Sequence, residues 1–169
     1  MRSITFKRAT EKDVPLIYQW WTNGQVMASV GFPNGLETTK EEVKRTLKSY
    51  QRNPTAEFLL IMNEDNVPIG EFTYHQKAPG MFTFNIKMGK LSEQGKGYGR
   101  LAIIEGIERI AENYLIEAIQ LEVDPKNNKA MNLYKSLGFK CQKISYRHWF
   151  NQLKEPCATA FLEKVFDTP

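Results

Sequence analysis

The amino-acid sequence predicts one mixed α+β domain, residues 1–169, with about seven strands and about four helices. Three strand-like segments follow one another in the middle of the chain, and helical and strand-like patterns alternate in its second half. With 169 residues, of which 41% are hydrophobic and 12% aromatic, the chain is long enough to bury a sizeable core. That composition excludes a disordered or low-complexity protein.

The N-terminal third predicts one strand and two helices. Ile4–Arg8 alternates apolar and polar residues, as a half-buried strand does. Thr10–Asp13 has the form of a capping box, and the apolar residues after it recur at helical spacing at Val14, Ile17, Trp20 and Trp21. The glycine-containing stretch 23–39 is expected to be mainly loop, and a second helix starts at Thr38–Thr39 and runs to about Tyr50.

The rest of the chain predicts an antiparallel meander followed by alternating helices and strands. An acidic turn at 63–66 and a Pro-Gly turn at 78–80 separate three strands, Glu57–Met62, Val67–His75 and Met81–Met88. Beyond them, the pattern predicts a helix carrying Ile103, Ile107, Ile110 and Tyr114, a strand Ile119–Val123, a helix capped by Asn127 or Asn128 and terminated by Gly138, and the strands Cys141–Phe150 and Thr159–Phe166.

Charge and cysteine content limit the classes of partner. The chain has 23 Lys and Arg against 19 Asp and Glu, a net charge of +4, and the signs are interspersed, which argues against nucleic acid as a partner. Cys141 and Cys157 lack metal-ligand spacing, so we expect reduced thiols and no metal site. Charges break the N-terminal stretch and the longest apolar run is Phe58–Met62, so we expect a cytoplasmic protein without a secretory signal or membrane contact.

The strongest local signal is the segment Gln94-Gly95-Lys96-Gly97-Tyr98-Gly99-Arg100, between a predicted strand and a predicted helix. Glycines free the main chain so that backbone N–H groups can converge on a phosphate, and the helix adds its positive N-terminal end. Lys96 and Arg100 add positive charge. The spacing differs from that of a P-loop and of a dinucleotide fingerprint, and a glycine-rich turn without a ligand is the alternative.

Two motifs resemble those of the GNAT family of N-acetyltransferases. Gln94-x-x-Gly97-x-Gly99 is similar to the family's Gln/Arg-x-x-Gly-x-Gly/Ala signature, and Asn127-x-x-Ala130-x-x-Leu133-Tyr134 resembles its second motif. The order of elements matches over nearly the whole chain. The stretch around Trp20 to Glu42 resembles the subgroup of ribosomal-protein N-terminal, spermidine and aminoglycoside 6′-acetyltransferases. The resemblance implies a GNAT-like fold, with a mostly antiparallel central sheet that is splayed between strands 4 and 5.

The resemblance also implies a cosubstrate, acetyl-CoA, and the residues that bind it. The glycine segment would hold the pyrophosphate, the strand end before it would pair with the pantetheine, and the start of the later helix would contact the coenzyme. These residues are Ile86, Lys87, Met88, Gln94, Gly95, Lys96, Gly97, Tyr98, Gly99, Arg100, Asn127 and Ala130. Tyr134 would be the general acid that protonates the departing thiolate, with packing in the core as its alternative. The segment Gly89–Glu93 departs from the family by lacking a proline, and a homodimer is compatible with the resemblance.

An amine must lose a proton before it attacks a thioester, because an alkylamine is mostly protonated at neutral pH. Glu71 is the candidate general base, His75 lies on the same face of the predicted strand, and an ordered water chain is the third option. Aromatic residues that could line an acceptor pocket are Trp20, Trp21, Phe32, Tyr74, His148 and Trp149. The acceptor stays open between a protein N-terminus, a polyamine, an aminoglycoside and a small metabolite. A non-catalytic acyl-CoA-binding or sensing module is the alternative function.

Overall fold

The computed structural model describes residues 1–167 and contains one mixed sheet of seven strands in the order β1-β2-β3-β4-β5-β7-β6. The strands are β1 Thr5–Arg8, β2 Ala56–Met62, β3 Pro68–Ala78, β4 Met81–Met88, β5 Ala118–Val123, β6 Lys140–Phe150 and β7 Pro156–Val165. All neighbouring strands are antiparallel except β4 and β5, which are parallel. The predicted mixed fold, its seven strands and its antiparallel meander are confirmed.

The described residues form five α-helices, one more than the sequence predicts. They are α1 Val14–Trp21, α2 Gly24–Met27, α3 Lys40–Arg52, α4 Tyr98–Asn113 and α5 Asn128–Ser136. The additional helix α2 lies in the stretch that was expected to be mainly loop. The Asn23 side chain starts it, because its carbonyl oxygen accepts a hydrogen bond from the Gln25 N–H at 2.9 Å.

The predicted splay between β4 and β5 is present. β3 and β4 pair along the whole length of β4, from Met81 to Met88. In the described part of the chain, by contrast, β4 pairs with β5 at two positions, Met81 with Ala118 and Phe82 with Ile119. From Thr83 onward the two parallel strands therefore separate, and the far end of β4 has a free edge.

The sheet has a separate apolar core on each face. Alternate residues of β3 and β4, including Phe72, Tyr74 and Phe84, pack with α4 and α5 on one face. On the other face, Phe58 and Leu60 of β2 pack with α1, α2 and α3. Because neighbouring residues of a strand point to opposite faces, Glu71 and Thr73 lie on the α1 side of β3.

Helix α4 lies very close to β3 at Gly106. A Cβ atom at this position would lie 2.3 Å from Cζ of Phe72, whose side chain is completely buried. No side chain fits there unless the Phe72 ring moves, and the ring is enclosed by the core on the same face. The position of α4 relative to the sheet thus depends on a glycine at 106.

We expect Gly106→Ala to destabilise the protein by about 1–3 kcal/mol, the usual cost of overpacking a core. Gly99→Ala is the matched control in the same helix, since a Cβ at Gly99 meets no atom within 4 Å. Urea unfolding of both variants measures the free energies of unfolding. Equal stability of the two variants would show that Phe72 yields without cost.

Candidate active site

A cleft with a volume of about 730 Å³ opens where β4 separates from β5. β4, the glycine segment and α5 form its walls, and most of the predicted cosubstrate-binding residues lie along it. The predicted residues on the cleft are Ile86, Met88, Gln94, Gly95, Gly97, Tyr98, Gly99, Arg100, Asn127, Ala130 and Tyr134. The fold therefore brings both sequence motifs to one site.

The glycine segment leaves the first turn of α4 open to the cleft. Gly95 and Gly97 have φ values of 75° and 90°, a left-handed conformation that glycine adopts at little cost. A Cβ at Gly95, Gly97 or Gly99 would meet no atom within 4 Å. The first N–H groups of a 16-residue helix thus face open space, and such groups together with the helix dipole attract an anion.

Two basic side chains extend this positive surface. Arg100 bridges the two helices, because its Nη1 donates a hydrogen bond to Oγ of Ser136 at 3.0 Å. Lys129, in the first turn of α5, also lines the cleft and was missed by the sequence analysis. Its proximity to Ala130 in the second motif was the signal that could have indicated it.

Two of the predicted residues, Lys87 and Tyr98, have side chains that point away from the cleft, and a third, Lys96, pairs with Glu93, which lines it. Lys87 lies on the opposite face of β4, with its Nζ 6.0 Å from the ring centre of Trp21. Lys96 Nζ lies 3.3 Å from a carboxylate oxygen of Glu93. The Tyr98 side chain is buried, and its hydroxyl donates a hydrogen bond of 2.6 Å to Glu64, which raises the pKa of Tyr98 to about 12. At Lys87 and Tyr98 the main chain is the part available to a ligand in the cleft.

The side chain of Gln94 connects the glycine segment to the free end of β4. Its Nε2 donates a hydrogen bond of 2.9 Å to the carbonyl oxygen of Met88, the last residue of that strand. Asn127 has the capping role that the sequence analysis allowed, because its Oδ1 accepts a hydrogen bond from the Ala130 N–H at 3.1 Å. Both side chains therefore fix the cleft walls as well as lining the cleft.

Tyr134 lies on α5 at the inner end of the cleft. Its ring packs against Phe84 of β4 and against Phe139, and the residue is 8% exposed. Burial raises the pKa of Tyr134 to about 12, so the phenol stays protonated at neutral pH. Within residues 1–167 its hydroxyl has no hydrogen-bond partner, and the residue lines the cleft.

Glu71 occupies the opposite face of the sheet, in the middle of β3. It is 1% exposed, and the Trp21 indole N–H donates a hydrogen bond of 2.6 Å to its Oε1. Its Oε2 is buried without a partner among the described residues. Burial raises the pKa of Glu71, against the opposing effects of Lys87 and of the bond from Trp21. This carboxyl group can therefore take up a proton at a higher pH than an exposed glutamate.

His75 lies on the same face but at a different place. It lines an open cleft of about 480 Å³ together with Thr83 and Asn85 of β4 and with Gln120 and Glu122 of β5. Four residues of strand separate His75 from Glu71, a distance of about 13 Å. This open cleft reaches the start of the splay from the side opposite to α4 and α5.

Of the six aromatic residues suggested for an acceptor pocket, Trp20 and Tyr74 are buried, Trp21, Phe32 and Trp149 are half-buried, and His148 is exposed, with its Nδ1 2.9 Å from Oγ1 of Thr159. Trp20 is buried in the core beside α1, and Tyr74 is buried in the core beside α4, where its hydroxyl donates a hydrogen bond to Glu57. Neither residue therefore lines the open cleft around His75. Trp21 donates a hydrogen bond to Glu71, and the ring of Trp149 packs against the main chain of Gly31. Sequence reasoning did not reveal the pairing of Trp21 with Glu71, since no local pattern links residues 50 positions apart.

A third cleft, of about 450 Å³, surrounds Glu57 near the start of β2. Its carboxylate accepts hydrogen bonds from Arg8, Arg109 and Tyr74, so its charge is already paired within the protein.

Across residues 1–167, no group of three or more His, Cys, Asp or Glu side chains is placed to hold a metal ion. In the same range no helix has the length and apolar character to cross a membrane.

Solved structures of several acetyltransferases share this fold. Spermidine N-acetyltransferase from Vibrio cholerae, solved with CoA and spermine, superposes with a TM-score of 0.85 at 17% identity, over 96% of this chain and 95% of that one. Ribosomal-protein-alanine N-acetyltransferase from Brucella melitensis gives 0.81 at 18% identity, over 96% and 99%. Aminoglycoside acetyltransferase AAC(6')-Ib in complex with coenzyme A gives 0.76 at 19% identity, over 96% and 95%.

Comparison by sequence identifies the family. A search of curated proteins found no match. A family model described as an acetyltransferase (GNAT) domain, however, matches residues 3–140, a range that includes the glycine segment and the α5 motif. With the splayed sheet and the shared fold, this match shows that the chain belongs to the GNAT family of acetyltransferases.

Proposed function

We propose that this protein transfers an acetyl group from acetyl-CoA to a primary amine. The observation that carries the proposal is the cleft at the splay, where the open N-terminus of α4, the free edge of β4 and Tyr134 line one space. An activated acyl carrier with a diphosphate needs these three features together. The spermidine and aminoglycoside acetyltransferases that share the fold were solved with CoA, which supports the choice of donor.

The donor would bind along the cleft with its diphosphate at the glycine segment. The N–H groups at the start of α4 would receive the phosphate oxygens, and Arg100 and Lys129 would add charge. The pantetheine arm would pair with the main chain of Ile86, Lys87 and Met88, as an added strand pairs with a sheet edge. This arrangement explains why Lys87 can take part although its side chain faces away.

The reaction would proceed by direct attack of the amine on the thioester. The neutral amine forms a bond to the carbonyl carbon, the carbon–sulfur bond breaks, and the thiolate that leaves takes a proton from the Tyr134 hydroxyl. The nitrogen releases one proton as the amide forms, and the Tyr134 phenolate regains one proton from water. The Tyr134 phenol is protonated at neutral pH, because burial raises its pKa to about 12, so a proton is present in the cleft when the carbon–sulfur bond breaks. No metal ion is required by this sequence of steps.

The amine would approach from the face of the sheet opposite to α4 and α5, the face on which Glu71 and His75 lie. We favour Glu71 as the general base, because its Oε2 is buried without a partner and its raised pKa brings proton uptake closer to neutral pH. Since the side chain is covered by Trp21 and Lys87, the proton would reach it through water. His75, which lines the open cleft, is the alternative base.

A thiol-release assay with a panel of amines tests the function. We would measure free CoA formed from acetyl-CoA with spermine, with ribostamycin and with a peptide that begins with alanine. Faster release with one amine supports the transferase and assigns the acceptor class. Calorimetric binding of acetyl-CoA without release across a wider panel of amines would favour the non-catalytic sensing module instead.

We expect Gly99→Leu to weaken acetyl-CoA binding at least about tenfold, because a side chain there occupies the space in front of the helix N-terminus. Isothermal titration calorimetry measures the Kd. Ala111→Leu, an exposed position at the other end of α4, is the control and should bind normally. Unchanged affinity in Gly99→Leu would show that the glycine segment does not hold the donor.

We expect Tyr134→Phe to lower kcat about 100-fold while the Kd for acetyl-CoA stays the same, because the variant loses the proton donor and keeps the ring. The exposed Tyr146→Phe serves as the control for loss of a phenol elsewhere. Steady-state kinetics with the best amine of the panel gives kcat. A variant that turns over at the wild-type rate would remove Tyr134 as the acid.

We expect Glu71→Gln to lower kcat/KM about 100-fold and to change its pH dependence. In the wild-type protein, activity should fall as the pH drops below the raised pKa of Glu71, because the base must be deprotonated. Glu71→Gln should lose this acidic limb, whereas His75→Ala should keep it. The opposite result, with the limb lost in His75→Ala, would assign the base to His75.

A further inference from the structure

The tip of the β6–β7 hairpin is fastened to the segment that follows α2. Gln152 makes three hydrogen bonds to this segment: its N–H donates to the Gly31 carbonyl at 2.8 Å, its Nε2 donates to the Gly35 carbonyl at 2.9 Å, and its Oε1 accepts from the Asn34 N–H at 2.9 Å. The Gln152 side chain thus provides hydrogen-bond partners for two main-chain groups, the Asn34 N–H and the Gly35 carbonyl. Both groups lie in an irregular loop, where no neighbouring strand or helix turn of residues 1–167 bonds to them.

Both partners of this contact are also held by local interactions. At the hairpin tip, Oδ1 of Asn151 accepts hydrogen bonds from the N–H groups of Leu153 and Glu155. In the loop, Gly31 has a φ of 99°, and a Cβ there would lie 2.4 Å from a ring carbon of Trp149. The Trp149 ring therefore lies directly on the Gly31 main chain, in a contact that a larger residue would prevent.

The contact joins the two halves of the splayed sheet. The hairpin belongs to the half that contains β5, because β7 pairs with β5. The loop belongs to the half that contains β4: the Leu36 N–H donates to the Trp21 carbonyl, and the Trp21 side chain bonds to Glu71. Gln152 thus bridges from one side of the splay to the other.

This bridge lies on the face from which the amine would approach. Trp149 pairs with Cys157, and Cys157 shares its face of β7 with Phe161, which lines the open cleft. Leu162, one residue on, points to the opposite core beneath α4 and α5. The coenzyme cleft, in contrast, is bounded by α4, α5 and β4. The bridge therefore lies on the face of the sheet opposite to α4, α5 and the coenzyme cleft.

We infer that Gln152 is a positioning residue for the amine acceptor: it holds the segment Gly31–Gly35 against the hairpin tip and so fixes the wall of the opening through which the amine reaches the thioester. This inference rests on the proposed function. It separates acceptor binding from donor binding, because the hydrogen bonds of Gln152 go to the loop beside Trp21 and not to the glycine segment.

The test is acceptor kinetics of Gln152→Ala and Gly31→Ala, with Leu153→Ala as the control at the same hairpin tip. The first variant removes both side-chain bonds, and the second displaces Trp149 through different atoms. With acetyl-CoA saturating and the best amine of the panel varied, we expect both variants to raise the acceptor KM about tenfold. We expect kcat to change less than about twofold, with an unchanged Kd for acetyl-CoA. Hydrogen exchange in residues 31–36 should become faster in both variants and stay normal in Leu153→Ala.

Two results would overturn the inference while leaving the proposed function in place. One is faster exchange in residues 31–36 with an unchanged acceptor KM, since the loop would then be fastened without any effect on the amine. The other is a parallel rise of the acetyl-CoA Kd, which would indicate general loosening of the fold. Failure of the proposed function is distinguishable, because the wild-type protein itself would then turn over no amine.

Discussion

The free edge of β4 is the constraint on which the site depends. Backbone N–H and C=O groups that leave a sheet must find other partners, and a strand that separates from its neighbour inside a domain exposes a row of them. Here one such group, the Met88 carbonyl, is satisfied by Gln94, and the others border a cleft. The rest of the site is arranged around this gap, with the N-terminus of α4 and Tyr134 on one face and Glu71 on the other.

The gap stays open between helices that are packed firmly against the sheet. α4 is pressed onto β3 at Gly106, so the helix N-terminus has a fixed position relative to β4. α5 is held by the packing of Tyr134 with Phe84 and Phe139. Close packing of this kind permits little adjustment, which is what a site requires when donor and acceptor must meet at one point.

Much of the fold could be predicted from the sequence, because strand alternation, helical spacing and capping residues are local signals. The differences lie in the short helix α2 and at strand ends. β3 continues to Ala78 because Ala78 pairs with Met81 across the turn, and β7 begins at Pro156 because that residue pairs with Phe150. Polar residues near a turn do not show by themselves whether a partner strand lies opposite them.

The cleft residues were accessible from motifs, whereas the acceptor side was not. The glycine segment and the α5 motif are each continuous in sequence, so their shared location follows from the fold. The bonds of Trp21 to Glu71 and of Gln152 to Asn34 join residues 50 and 118 positions apart. Only the three-dimensional arrangement brings such residues together, and for that reason the sequence left open which side chains hold the amine.

The burial of Glu71 has an energetic consequence for the whole protein. Its pKa is higher in the folded chain than in the unfolded chain, so the folded state binds this proton more tightly. Below the ordinary glutamate pKa the group is neutral in both states and costs nothing. As the pH rises from there to the raised value, folding stability declines, and above it the full deficit persists. At neutral pH the buried Glu71 therefore lowers the free energy of unfolding, at the position where the proposed reaction would need a proton acceptor.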